Sequence, residues 1–215
     1  MAEQKIRRRL PRKEREKLIV EEAVRFFAEV GFEGQTRALA QRLGVTQPLL
    51  YRYFPDKESL IERVYQEVFI GGWDPDWAKL LTDRSRPLVD RIIDFYAAYG
   101  RANVSYERVR LFLFAGLKEP ALANRYLAFI RDNLFVPLAI EIRAEAGLPS
   151  ADPSAAEIEC VAGLHGAVGY IGTRRWVFQA PVPEDTEAIQ VEIITSFLLG
   201  APAAFRTLAK ASVAE

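Results

Sequence analysis

Phe26–Leu60, FFAEVGFEGQTRALAQRLGVTQPLLYRYFPDKESL, reads as three short helices around a tight turn. The first begins upstream, from about Lys13. Leu18, Ile19, Ala23, Phe26, Phe27 and Val30 recur there at helical spacing, and Gly31 ends the run as a helix C-terminus requires. A second helix spans Thr36–Leu43, with Leu39, Ala40 and Leu43 as its inward stripe. Gly44 supplies the left-handed residue that closes it. Val45 plugs the turn, Thr46 is placed to cap the next helix through its hydroxyl, and Pro48 sits in a first turn where a missing N–H costs little. The third helix runs from Gln47 to Tyr53, with Leu50 and Phe54 turned inward. Pro55–Asp56 then punctuates, and Asp56 or a near neighbour starts a fourth helix through Tyr65 and Phe69.

Thr46, Gln47, Pro48, Tyr51, Arg52 and Tyr53 are left on the outside of this bundle. That set suits a major groove. Glutamine near the start of a groove-entering helix can bond an adenine edge, and a proline ring can touch a thymine methyl. Tyrosine hydroxyls and a lysine ammonium suit phosphate oxygens, which fix register without reading sequence. Thr36 and Arg37 open the preceding helix, whose N-terminal amides favour an anion. The alternative is that these residues only close a three-helix bundle, and it leaves the outward grouping of Gln47, Tyr51, Arg52 and Tyr53 unexplained.

Gly31–Leu60, with AVRFFAEVGF before it and the tail LYRYF-x-x-KESL at its end, resembles the TetR-type transcriptional regulators over about a quarter of the chain. The resemblance implies a homodimer with an N-terminal three-helix DNA-binding domain and a C-terminal helical ligand-binding and dimerisation domain. It implies phosphate-contacting roles for Thr36, Tyr51, Tyr53 and Lys57, and base-contacting roles for Arg37, Thr46, Gln47 and Pro48. TRALAQRLGVTQP is similar to the tetracycline-repressor branch within this motif alone. Two positions depart from the family pattern: Gln35 stands where a second threonine is common, and Leu49 where a small or hydroxylated residue is common.

The 215 residues carry 29 basic and 29 acidic side chains, for a formal net charge of zero. Residues 1–60 nonetheless hold 13 Lys/Arg against 9 Asp/Glu, a surplus the remainder must cancel. One end of the molecule therefore suits phosphate and the other does not. Lys5, Arg7, Arg8, Arg9, Arg12 and Lys13 form a basic arm, expected to be flexible over 1–13. It either tracks phosphate or a minor groove, or is a solvated tail. A single cysteine, Cys160, precludes an intrachain disulfide and a thiolate metal cluster. The charged N-terminus has no signal-peptide core, and no uncharged run reaches the roughly 18 residues of a membrane span. A cytoplasmic protein without membrane contact is expected.

Beyond Phe69 the composition turns aromatic. Helices are expected over 86–100, 103–117, 120–146, 153–178 and 184–210, with prolines at their junctions. Aromatic side chains of this body suit an apolar or aromatic small molecule, although any one of them also suits a core. Tyr96, Tyr99 and Tyr126 stand out because a buried hydroxyl needs a partner, and Phe112 and His165 complete the candidate ligand set. His165 is the only histidine and has no second ligand at metal spacing. Gly163, Gly166, Gly169 and Gly172 recur every three residues within a helix, each costing about 1 kcal/mol relative to alanine. Either a second subunit's helix packs closely there, or the glycines serve packing or bending within the chain.

An all-α protein follows, with a basic arm (1–13), a helix-turn-helix domain (14–60) and a helical ligand-binding and dimerisation domain (61–215). The expected function is a ligand-responsive repressor released from a pseudo-palindromic operator by a small apolar or aromatic molecule. Its partners are then double-stranded DNA, the effector and a second copy of the chain. No cofactor, metal site or catalytic group is expected, since no phosphate loop, nucleophile elbow or ligand cluster occurs. The alternatives are a ligand-independent or activating regulator of the same fold, or a helical dimerisation module without DNA binding.

Overall fold

Helix α1, Arg12–Val30, buries Ile19, Ala23, Phe26 and Phe27 of the expected stripe and Val20 beside them, whereas Leu18 is half-buried and Val30, at the helix end, is 49% exposed. It ends at Gly31, whose φ of 80° is a conformation that a Cβ disfavours. The computed structural model describes residues 11–211, so Lys5, Arg7, Arg8 and Arg9 of the basic arm lie outside the described residues. Arg12 and Lys13, expected in the arm, instead form the first turn of α1.

Helices α2 (Thr36–Arg42) and α3 (Gln47–Tyr51) are separated by Gly44 at φ 64°. Leu39, Ala40, Leu43, Leu50 and Phe54 are all buried, as their spacing requires. Thr46 holds the N-cap position of α3, but its hydroxyl makes no capping bond, contrary to expectation. With five residues and Pro48 in the first turn, α3 offers few orphan amides to cap. Helix α4, Lys57–Tyr65, is capped in full: the Ser59 N–H donates to Asp56 Oδ1 at 2.7 Å, and Ser59 Oγ faces the Asp56 N–H. One wider π-helical turn, Gln66–Ile70, continues it.

The remaining helices are α5 (Trp77–Thr82), α6 (Leu88–Asn103), α7 (Tyr106–Lys118), α8 (Pro120–Ile130), α9 (Val136–Glu145), α10 (Ala155–Trp176) and α11 (Glu187–Ala211). No strand occurs among the described residues. Helix α5 is absent from the sequence reading, because Gly71–Gly72 and Pro75 mask a six-residue helix whose buried positions are Trp77 and Leu81. The helix expected over 120–146 is α8 and α9 joined through a π-helical turn, Arg131–Phe135. Pro137 has no N–H to give the preceding turn, and Asn133 Nδ2 donates to the Phe129 carbonyl at 2.8 Å.

The chain forms two compact units, and the first is discontinuous. It holds α1–α4 up to Gly72 and the segment Ser105–Asn124; the second holds Trp73–Val104 and everything from Arg125 onward. In the first unit α7 lies against α1. Arg110 Nε donates to the Ala28 carbonyl at 2.6 Å, and Arg108 donates to the carbonyls of Val68 and Phe69. Both arginines thereby satisfy carbonyls at helix ends that lack partners within the helix.

In the second unit α10 packs on α11, and α9 on both. Two buried carboxylates tie it together. Glu141 accepts from Arg91 Nη1 at 2.9 Å and from Arg84 at 3.0 Å through both oxygens. Glu157 accepts from Arg143 Nη1 at 2.6 Å while it caps α10 with Ser154. Among the described residues, a Cβ built on Gly163, Gly166 or Gly169 would meet nothing within 4 Å beyond its own helix. None of these three glycines is a site of close packing among the described residues. On α11, Leu199 is 81% exposed and Ser196, Gly200 and Ala203 are exposed beside it. By length and composition α11 is apolar enough to cross a membrane, and only 22% of its most apolar window is buried.

Candidate nucleic-acid interface

The first unit turns one polar face outward from α2, α3 and the start of α4. Arg37, Thr46, Pro48, Tyr51 and Arg52 are exposed there; Gln47, Tyr53 and Lys57 are partly exposed. Their placement follows from burial of Leu39, Leu50 and Phe54, which fixes the rotation of both short helices. Among the described residues no ion pair holds Arg37, Arg52 or Lys57. Arg42, by contrast, is clamped by Glu22 at 2.8 Å and Glu29 at 2.6 Å. Its hydrogen bonds hold the Glu29 carboxyl below the ordinary carboxylate range. The basic groups of the outward face are thus available to phosphate, while acidic charge is neutralised elsewhere.

Thr36 differs from its neighbours. It is buried, and its hydroxyl lies 3.0 Å from the Tyr51 hydroxyl. Gln47 Nε2 donates to Thr36 Oγ1 at 3.0 Å and lies 3.5 Å from the Tyr51 hydroxyl. The three side chains, 15 residues apart at most, close a triangle across the α2–α3 turn. Arg12 extends the face, its guanidinium 5.9 Å from the centre of the Tyr53 ring.

Residues 19–64 match the family model described as "Bacterial regulatory proteins, tetR family". That stretch is thus a domain of the tetR-family type. The chain is also similar to a class A tetracycline repressor protein from an Escherichia coli transposon, 33% identical over 76 residues. That match covers 32% of this chain and spans 35% of the repressor's length. The fold as a whole is similar to a TetR-like transcriptional regulator from a Rhodococcus species, with a TM-score of 0.62 at 18% identity, covering 91% of this chain and 99% of that one. A TetR family transcriptional regulator from Pseudomonas syringae pv. tomato gives 0.58 at 20% identity, covering 89% and 96%.

In the second unit, four of the five expected ligand residues converge. The Tyr99 and Tyr126 hydroxyls are 2.7 Å apart, and Tyr96 OH lies 3.4 Å from His165 Nδ1. His165 also contacts the rings of Tyr99 and Phe135. Burial foremost, with Tyr126 adding a little, pushes the Tyr96 hydroxyl far up, so it stays neutral. Trp73, Trp77 and Phe95 surround the tyrosines at ring-contact distances. Sequence spacing gave no reason to prefer these three, since their roles depend on how α5 and α6 pack. Phe112, the fifth residue, is half-buried on α7 in the first unit. A cavity of about 910 Å³ lies elsewhere in the second unit, lined by Arg84–Val89, Arg91, Glu141 and, on α11, Thr195, Leu198, Leu199 and Pro202. Of its charged groups, Arg84 and Arg91 pair with Glu141, and Arg86 pairs with Asp94 outside the lining.

Proposed function

We propose that this chain is a one-component repressor of the TetR family. As a homodimer it would place two copies of α3 in successive major grooves of a pseudo-palindromic operator, about 34–36 Å apart. The observation that carries the reading is the outward face of α2–α3, where Arg37, Gln47, Pro48, Arg52 and Tyr53 share one side of a TetR-family domain. Arg37 and Gln47 read bases, with Thr46 and Pro48 beside them. Tyr53 and Lys57 hold phosphates, a role that the family pattern also assigns to Thr36 and Tyr51. The apolar, glycine-lined faces of α10 and α11 meet their counterparts in a second copy, which is the cover their exposure calls for.

The effector in this reading is a small apolar or aromatic molecule taken up among Tyr96, Tyr99, Tyr126 and His165. The likeness to the tetracycline repressor spans only 35% of that protein, so tetracycline itself is not carried over. The ligand favours a dimer whose two heads no longer match the operator spacing. By linkage, DNA then weakens the ligand by the same factor. The test is selection of bound sequences from a random duplex pool, followed by mobility shift with and without candidate effectors. A palindromic consensus supports the reading. Absence of any binding to duplex at low salt rejects it, and binding that no effector alters leaves a DNA-binding regulator without the switch.

A further inference from the structure

The family pattern assigns Thr36 and Tyr51 to phosphate, yet both hydroxyls are engaged with each other and with Gln47. We propose that Thr36 and Tyr51 are positioning residues: their triangle with Gln47 fixes the glutamine amide so that its carbonyl oxygen faces the groove and sets base preference. The inference rests on the DNA-binding reading above.

A glutamine amide has two donor hydrogens on nitrogen and an acceptor oxygen. Here the nitrogen points back into the protein, toward Thr36 Oγ1 at 3.0 Å and the Tyr51 hydroxyl at 3.5 Å. In the inverted orientation the oxygen would need a hydrogen from each hydroxyl. One of those hydrogens is committed to the Thr36–Tyr51 bond at 3.0 Å, so inversion forfeits a contact. Burial of Thr36 strengthens the preference, because water cannot readily replace what is lost there.

A free glutamine bonds adenine through both N6 and N7, donating and accepting at once. The held glutamine keeps only its acceptor for DNA. Adenine N6 and cytosine N4 are the major-groove groups that donate to it, whereas guanine and thymine present acceptors that repel it. The fixed amide therefore discriminates amine-bearing bases from the other two. Released, the amide can donate as well as accept: it then favours adenine, bonded at N6 and N7 together, over cytosine, and no longer repels guanine or thymine.

The experiment begins with the sequence that wild type selects from a random duplex pool. Gln47→Ala then identifies the base pair that Gln47 reads, as the one whose preference disappears. Affinities are measured for four duplexes differing only there, with wild type, Tyr51→Phe and Thr36→Val, at several salt concentrations. Wild type should favour adenine or cytosine on the contacted strand by roughly fivefold, the effect of one hydrogen bond. Both variants should separate adenine from cytosine, narrow the gap between cytosine and guanine or thymine, and keep the preferences at other positions. Tyr51→Phe, an exposed substitution, carries the test if Thr36→Val folds poorly. The proposal is overturned if Tyr51→Phe weakens all four duplexes alike and lowers the salt slope by about one, the mark of a lost phosphate contact. A wild-type preference for guanine or thymine there overturns it as well. A wild type that selects no sequence rejects the DNA-binding reading itself.

Discussion

Replacing Leu199 with alanine tests whether α11 meets a second copy. The side chain is 81% exposed in the single chain, so the substitution should leave the folded monomer almost untouched. If two copies bury it, three carbons per subunit lose their shelter. At about 0.8 kcal/mol per buried carbon, scaled by the exposure available to be lost, the cost is about 2 kcal/mol per subunit. A two-fold interface counts the change twice, for about 4 kcal/mol, a dissociation constant raised roughly a thousandfold. Sedimentation equilibrium over a concentration series measures it, with circular dichroism as the folding control. Gly166→Leu is the companion variant. It gains about 1 kcal/mol of helix propensity in the monomer, since among the described residues nothing beyond its own helix meets its Cβ, and yet should weaken association by filling the interface. A Leu199→Ala dissociation constant within about threefold of wild type, on that hydrophobic scale, would refute the reasoning. So would a wild-type chain that stays monomeric at concentrations where Gly166→Leu does too.

Other consequences are equally direct. Gly31→Ala forces a Cβ into φ 80° and to within 3.2 Å of the Phe114 ring, and should cost about 1–2 kcal/mol in urea unfolding; a change near zero would contradict this. Burial disfavours the charged Glu141, but hydrogen bonds from Arg84 and Arg91 outweigh it and hold the carboxyl below its ordinary value. Its contribution is therefore present above the ordinary carboxylate value and is lost as pH falls through the lowered one. Glu141→Gln leaves Arg91 buried without its counter-charge, at a cost of about 3–5 kcal/mol at neutral pH, and should flatten the acid limb of the stability profile. Lys57→Ala should weaken every duplex alike and reduce the salt slope by about one, whereas a change in base ranking would show that Lys57 reads sequence.

Local signals made the DNA-binding end readable in the sequence. Gly31 and Gly44 do end α1 and α2 in positive φ, and Asp56 does cap α4, because each depends on residues within one turn of itself. Leu50 and Phe54 are buried for the same reason. Thr46 was misjudged because a capping hydroxyl and a five-residue helix with an early proline are locally indistinguishable. What the sequence withheld was non-local. Nothing in the spacing of Thr36, Gln47 and Tyr51 announces that their polar atoms meet. Nothing near Arg108 or Arg110 reveals that each reaches back some 40 and 82 residues to a carbonyl. Helix α5 was lost to its flanking Gly and Pro residues, although Trp77 and Leu81 stand four apart.

Those two arginines set the terms on which this helix-turn-helix end can be moved to another protein. A graft cut after residue 60 or 72 would leave behind α7, and with it the side chains that occupy the last carbonyls of α1 and of the turn after α4. Leu111 and Ala115, both buried, would go as well. The portable piece is two strands of chain, not one: residues up to 72 together with 105–124, rejoined by a linker where the second unit has been removed.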